Sequence, residues 1–302
     1  IPLTKISETA TTITLGWTPP SGCSGYVFYA DAKRSSTFDG TRSSVKFAKG
    51  ATTYRVQALG VLAEGTYPAA TTSKVLFEDN FDNDLGKWNV GWFDTAGPVN
   101  SAEAAGYKND HARIVVTVTV DPLPDTSTLA NGMLEMSLTA DPIYSAKLNR
   151  TLPYTGALLT TQGKFTFVPP VRLEARMFLP GSSGVANWPA FWSNGSIWPT
   201  DGENDVMEGL GGVPCWHYHS PLGGPGGCAT GNWSGWHTFT SEVQAGKASY
   251  FYDSVFVGEI SQGVNMVAPH YLILQQSISD HHPETALVPA TMLVDYVRVT
   301  AL

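Results

Sequence analysis

Residues 198–212 read WPTDGENDVMEGLGG, and the spacing of the acids in this stretch decides the fold. Glu203, Asp205 and Glu208 stand at relative positions 0, 2 and 5. On a helix at ~100° per residue they would point to about 0°, 200° and 140°, in no common direction. On a strand, Glu203 and Asp205 share a face and Glu208 turns away. One extra residue near Val206–Met207, a β-bulge, returns Glu208 to the face of the other two. Three acids on one strand face repel one another, and burying them without partners is costly. That cost is intelligible where the acids perform chemistry. A solvated edge strand with incidental charges is the alternative.

The neighbouring residues favour chemistry. NWPAFWSNGSIWP (187–199) runs directly into the acids, and six of the nine tryptophans (Trp188, Trp192, Trp198, Trp216, Trp233 and Trp236) fall between 188 and 236. Indole faces stack on the apolar faces of sugar rings, so acids beside tryptophans suggest a sugar site. Roughly half of the six are expected to pack in the core instead. Retaining glycosidases use two carboxyl groups ~5–5.5 Å apart, one nucleophilic and one a protonated acid. An Asp between them can hydrogen-bond a neighbour and help keep the two in different protonation states. Glu203, Asp205 and Glu208 are therefore the candidate catalytic residues. Trp188, Trp192 and Trp198 are candidates for holding a polysaccharide.

Composition agrees. The chain has 302 residues, 42% hydrophobic and 15% charged, with 30 Gly and 20 Pro. This describes a globular, all-β protein large enough for one large domain and one small one. A net charge of −8 argues against nucleic acid and mildly against a strongly anionic polysaccharide. No apolar run approaches the ~20 residues of a membrane span, so no membrane partner is expected. No signal peptide is visible and the chain opens at Ile1, which reads as a processed mature protein or an excised segment. Cys215 and Cys228 bracket SPLGGPGG (220–227), and a disulfide closing that loop would imply an extracellular setting. Two unlinked small hydrophobes are the alternative, and Cys23 has no expected partner.

Strand-period runs fill the chain. Up to about residue 75 they are TTITLGWTPP (11–20), GYVFYADA (25–32) and TTYRVQALG (52–60). Ile13, Leu15 and Trp17 alternate in the first, and Tyr54, Val56 and Ala58 in the last. A Trp strand, a Tyr-rich strand and a Y-x-V-x-A strand resemble a fibronectin type III domain. The resemblance implies a small immunoglobulin-like β-sandwich at 1–75, acting as a spacer, a docking module or a joint in a larger assembly. A second unit at 76–302 begins near FEDNFDN (77–83). It carries ARIVVTVTV (112–120), KFTFVPP (164–170), RLEARMFLP (172–180), DVMEGL (205–210), SYFYDSVFVGEI (249–260), HYLILQQSIS (270–279) and MLVDYVRVTAL (292–302). So many strands in one unit suggest two large sheets packed face to face.

Taken together, LEARMFLP (173–180), WPAFWSNG (188–195), WPTDGENDVMEG (198–209), WHTFTSEV (236–243), YLILQQS (271–277) and VDYVRV (294–299) resemble glycoside hydrolase family 16. Laminarinases, lichenases, agarases and carrageenases belong to that family, and the bulged E-x-D-x-x-E form resembles its laminarinase-type branch. The resemblance covers roughly 77–302. It implies a concanavalin-like β-jelly roll with a concave cleft and retaining endo-hydrolysis. Glu203 then corresponds to the nucleophile, Asp205 to its hydrogen-bonded helper and Glu208 to the acid/base. No cofactor is required for this catalysis, and β-1,3-glucan is the first substrate to try. Two alternatives stand beside it: a surface- or phage-tail-associated depolymerase of a cell-wall glycan, and a non-catalytic carbohydrate-binding protein on the same fold. The intact acids argue against the latter. All three readings place the chain outside the cell, secreted or in a surface or virion tail assembly.

This sequence departs from the family at three positions. Asn204 stands where an aliphatic residue is usual, facing the inter-sheet core, where an amide needs hydrogen-bond partners. Gln275 occupies an Asn position in LQQSISD (274–280), and Val243 replaces a Trp. Gln275 is accordingly assigned to substrate binding, with a lining unlike that of laminarinases. In CWHYHSP (215–221), His217 and His219 share a strand face, and the family's following strand usually brings a His into the cleft. Both are assigned to substrate binding. A catalytic zinc is the minor alternative, since no third ligand is evident. The resemblance also leaves room for a structural calcium on the convex side, held by Asp295 with Glu78 or Asp79. Ordinary surface carboxylates are the alternative there.

Overall fold

In the strand Val171–Leu179, Val171, Leu173, Ala175, Met177 and Leu179 are fully buried, while the residues between them are partly exposed. Burying a large apolar side chain is worth about 1.5–3 kcal/mol, so a strand patterned this way rests only with one face against another layer. The computed structural model of the chain describes all residues except 1–2, 20–24, 32, 38–40, 50, 52, 60–62, 69–73, 92–102, 116–131 and 266. Cys23 and the end of ARIVVTVTV from 116 onward lie outside the described residues. No helix among the described residues is long and apolar enough to cross a membrane.

The chain divides into two compact units, Ile1–Ser73 and Lys74–Leu302. The first has a three-stranded sheet in the order Thr4–Glu8, Thr12–Gly16, Ser44–Ala48, and a four-stranded one in the order Lys33–Thr37, Gly25–Ala30, Thr53–Leu59, Ala63–Pro68. Ile13, Leu15 and Trp17 meet Tyr54, Val56 and Ala58 in one core that both sheets share. The alternations read from the sequence face inward there. Val75, placed in the first unit by the sequence reading, pairs with Thr300 and so belongs to the second.

The second unit is a jelly-roll sandwich of two eight-stranded sheets. The site-bearing sheet runs Ala105–Tyr107, Tyr154–Thr160, Tyr271–Ser277, Trp188–Asn194, Glu203–Leu210, Val213–His219, Gly226–Cys228, with Asn89–Val90 beside Tyr154–Thr160. The opposite sheet runs Ala112–Val115, Met133–Leu138, Ala290–Ala301, Val171–Leu179, Gly235–Gln244, Lys247–Tyr252, Val255–Ile260, with Val75–Asp79 beside Ala290–Ala301. Pairing is antiparallel apart from Ala105–Tyr107 with Tyr154–Thr160. Phe191, Val206, Met207 and Leu272 of one sheet and Leu173, Met177, Phe239 and Tyr252 of the other share the core between them. Because that core takes one side of each strand, the alternate residues of the site-bearing sheet all emerge on its outer face.

Candidate active site

The strand Glu203–Leu210 lies between Trp188–Asn194 and Val213–His219, and its register breaks once. Against one neighbour, Asp205 pairs with Trp192 and Met207 with Phe191, which leaves Val206 extra. Against the other, Asp205 pairs with His217 and Glu208 with Cys215, so Val206 and Met207 together oppose Trp216. This is a bulge, and its effect is visible in burial: Val206 and Met207 are both fully buried in the inter-sheet core. Two successive inward residues bring Glu208 out on the face of Asp205.

Two tyrosines of the opposite sheet hold this strand in place. The Tyr252 hydroxyl donates to the carbonyl of the bulge residue Val206 (3.1 Å) or of Cys215 (3.0 Å). The Tyr250 hydroxyl reaches the Asn204 Oδ1 (2.8 Å) and the His217 carbonyl (3.1 Å). Asn204, fully buried, also reaches Ser241 Oγ from its Nδ2 (3.2 Å). The amide that looks out of place in the sequence is thus satisfied across the core. Sequence reading missed both tyrosines. Their signal was the alternation of Tyr250 and Tyr252 in SYFYD, which marks an inward face with hydroxyls to place.

On the outer face the acids sit among histidines and tryptophans. One Glu208 carboxylate oxygen accepts from Trp188 Nε1 (3.1 Å) and the other meets His217 Nδ1 (2.8 Å). His219 Nε2 stands 3.3 Å from Asp205 Oδ2 and 3.7 Å from Glu203 Oε1. Ligand atoms of Glu203, Asp205 and His219 lie within 4.8 Å of one another, as do those of Asp205, Glu208 and His217. Either group could hold a metal ion. Asp205 is only 3% exposed, and its Oδ2 has no hydrogen-bond partner among the described residues.

Burial pushes the Glu203 carboxyl well above the ordinary carboxylate range; the charges of Asp205 and Glu208 add to this, while His219 and a hydrogen bond with Trp198 oppose it. Burial, then the charge of Glu208, pushes Asp205 up as well. Acids crowded in this way cannot all ionise, and the group retains a proton that separated acids would lose.

The remaining expected residues divide. Trp198, 59% exposed, touches Glu203. Trp192 is buried on the outer face in a cluster with Tyr107, Leu158, Ala190, Tyr271 and Ile273. Gln275 is buried on that face too, opposite Ala190, which in turn pairs with Glu208. Trp216 is core, stacked on Tyr250. Cys215 and Cys228 form the expected disulfide. It closes a glycine strap over the histidines: a Cβ on Gly226 would lie 2.0 Å from the His217 ring, and one on Gly224 2.3 Å from His219 Nδ1. Only glycine allows so close an approach. Of the three carboxylates considered for calcium, two are engaged by arginines. Asp295 accepts from Arg176 (2.8 Å) and Glu78 from Arg298 (2.7 Å). Asp79 accepts from the Phe81 amide (3.1 Å) and Trp88 Nε1 (2.8 Å).

No protein-family model matches the chain. Over 281 residues it is 25% identical to the glucan endo-1,3-beta-glucosidase A1 of Niallia circulans, a match covering 78% of this chain and 39% of that protein. The chain therefore spans well under two thirds of that relative's length. The endo-β-1,3-glucanase from Pyrococcus furiosus superposes with a TM-score of 0.61 at 26% identity, covering 76% of this chain and 94% of that one. A non-specific endo-β-1,3(4)-glucanase from family GH16 shares the fold with a TM-score of 0.60 at 19% identity, covering 77% of this chain and 96% of that one. The second unit has the glycoside hydrolase family 16-type jelly-roll fold, and the chain is homologous to glycoside hydrolases.

Proposed function

We propose that the second unit is a retaining, endo-acting hydrolase of a β-linked polysaccharide, with β-1,3-glucan as its first candidate substrate. The observation that carries this is the bulge at Val206–Met207, which turns Glu208 out beside Asp205 on a strand that otherwise alternates. Glu203 is the nucleophile: its carboxylate attacks the anomeric carbon while Glu208 gives its proton to the departing glycosidic oxygen. In the second half, Glu208 takes a proton from water, whose oxygen displaces Glu203 and restores the original configuration. Asp205 lies beside both glutamates, and its charge is one of the causes that raise the Glu203 pKa, so it tunes the protonation of the pair without itself reacting. Trp188 and His217 fix the Glu208 carboxyl by one hydrogen bond at each oxygen. Trp198, exposed beside Glu203, offers a ring face to a sugar.

The first unit is a fibronectin type III-like module, a reading supported by its three- and four-stranded sheets around one core. It serves as a spacer or a joint to a larger assembly. The Cys215–Cys228 disulfide supports a location outside the cell.

Reducing-end release from a panel of β-1,3-, mixed-linkage and β-1,4-glucans and of galactans tests the reading. Internal cleavage of β-1,3-glucan that disappears in Glu203→Gln is expected. Cleavage of another β-glycan alone would reject the substrate. A folded wild type that releases nothing from any of them would reject the hydrolase.

A further inference from the structure

Two carboxylates and an imidazole converge on one point beside the bulge without forming hydrogen bonds to one another. His219 Nε2 lies 3.3 Å from Asp205 Oδ2 and 3.7 Å from Glu203 Oε1. Neither contact has hydrogen-bond geometry, and among the described residues Asp205 Oδ2 is buried without a hydrogen-bond partner, its one ion-pair contact being with the His219 ring. The neighbouring pair behaves differently: His217 Nδ1 meets Glu208 Oε2 at 2.8 Å and the two satisfy each other. Ligand atoms around a tetrahedral zinc, at bonds of ~2.0–2.2 Å, stand ~3.3–3.5 Å apart, close to the spacing found around His219.

We propose that Glu203, Asp205 and His219 form a binding site for one divalent transition-metal ion of zinc's class. The donor set selects the class: an imidazole nitrogen with two carboxylate oxygens suits Zn²⁺ or Co²⁺, whereas Ca²⁺ and Mg²⁺ prefer oxygen alone. A cation there supplies the partner that Asp205 Oδ2 lacks, which removes the penalty of a buried, unsatisfied oxygen. The imidazole is preorganised. The disulfide-closed strap packs Gly224 against its Nδ1 side, where a Cβ would come within 2.3 Å, and so aims Nε2 at the acids. His219 keeps 34% of its side-chain surface exposed, so an ion reaches the site from solvent. Three protein ligands leave the fourth position to water. Metal in this position occupies the carboxylate that would attack the sugar, so zinc inhibits hydrolysis reversibly. That consequence rests on the proposed function; the binding itself does not.

Calorimetric titration of the chelator-treated full chain with Zn²⁺ tests the site, and Co²⁺ read by its visible absorption reports coordination number. One ion per chain is expected, with His219→Ala weakening binding at least ~10-fold and His217→Ala changing it less than ~3-fold. Should His219→Ala unfold, His219→Gln keeps the bulk of the ring without the ligand and is expected to weaken binding equally. Absence of stoichiometric Zn²⁺ binding, or equal affinity in wild type and the His219 variants, overturns the proposal. So does binding that follows His217 instead, or a Co²⁺ spectrum of plain octahedral aqua character. If the protein hydrolyses a glycan, Zn²⁺ stops it and EDTA restores it; hydrolysis that continues at saturating bound Zn²⁺ overturns the inhibitory part. A chain that binds zinc as described yet cleaves no glycan retains this site and loses the functional reading.

Discussion

His270 connects the stability of the fold to the loop that delivers the first acid. It is fully buried. Its Nε2 donates to the Asp201 carbonyl (2.8 Å), two residues before Glu203, and its Nδ1 faces Ser193 Oγ (3.3 Å). The carbonyl can only accept, so the neutral ring carries its proton on Nε2 and Nδ1 accepts from the serine. Burial depresses its pKa from an ordinary 6.5 to about 4, outweighing the bond to the Asp201 carbonyl and the Asp201 charge, which act in the other direction. Above pH 6.5 both the folded and the unfolded chain hold a neutral ring, and the stabilisation is complete. Between 6.5 and about 4 the unfolded chain takes up a proton that the folded one refuses, so stability falls as pH falls. At 1.36 kcal/mol per unit the whole span amounts to about 3 kcal/mol, most of it already lost at pH 4.5. His270→Gln keeps a donor for the Asp201 carbonyl but cannot titrate. It costs about 1–2 kcal/mol at pH 7 and should lose about 2–3 kcal/mol less than wild type between pH 7 and 4.5. Urea unfolding of both proteins at the two pH values measures this difference. Equal losses, within about 0.5 kcal/mol, would refute the buried neutral ring as a source of acid sensitivity.

Other outcomes follow from the same contacts. Tyr252→Phe removes the donor to the Val206 and Cys215 carbonyls. It should cost about 1–3 kcal/mol in chemical denaturation and lower turnover by loosening the bulge under Glu208. Cys228→Ser opens the Cys215 disulfide and should destabilise the second unit by roughly 3 kcal/mol in denaturant unfolding, on chain-entropy grounds. Glu208→Ala should retain activity on substrates with good leaving groups and yield a β-configured glycosyl azide when azide is added. An α product there, read by NMR, would mean that the roles of Glu203 and Glu208 are exchanged.

Much of this was legible along the chain because a strand's period of two is a local property. The alternations of Ile13, Leu15 and Trp17 and of Tyr54, Val56 and Ala58 each marked one strand face before any partner was known, and these residues are indeed buried in one core. The spacing of Glu203, Asp205 and Glu208 called for one extra residue, and the register break falls where that residue was expected. The disulfide was readable from two cysteines bracketing a glycine-rich loop. The less complete readings lack such a local signal: Trp192 stood out only as a tryptophan near the acids, and the buried cluster that encloses it is formed by residues from other strands.

Sequence alone thus determined the class of fold, the face on which the acids lie and the need for a bulge, since each depends only on neighbours within a few residues. What each face meets was decided by tertiary structure. Arg176 and Arg298, far along the chain from Asp295 and Glu78, engage the carboxylates considered for calcium. Tyr250 and Tyr252 cross the core to hold Asn204 and the bulge carbonyl. Gly224 and Gly226 lie against the histidines because a disulfide closes their strap. Such contacts join strands of different registers and sheets, and a buried polar group takes whichever donor the packing brings within about 3 Å, a distance that no linear spacing encodes.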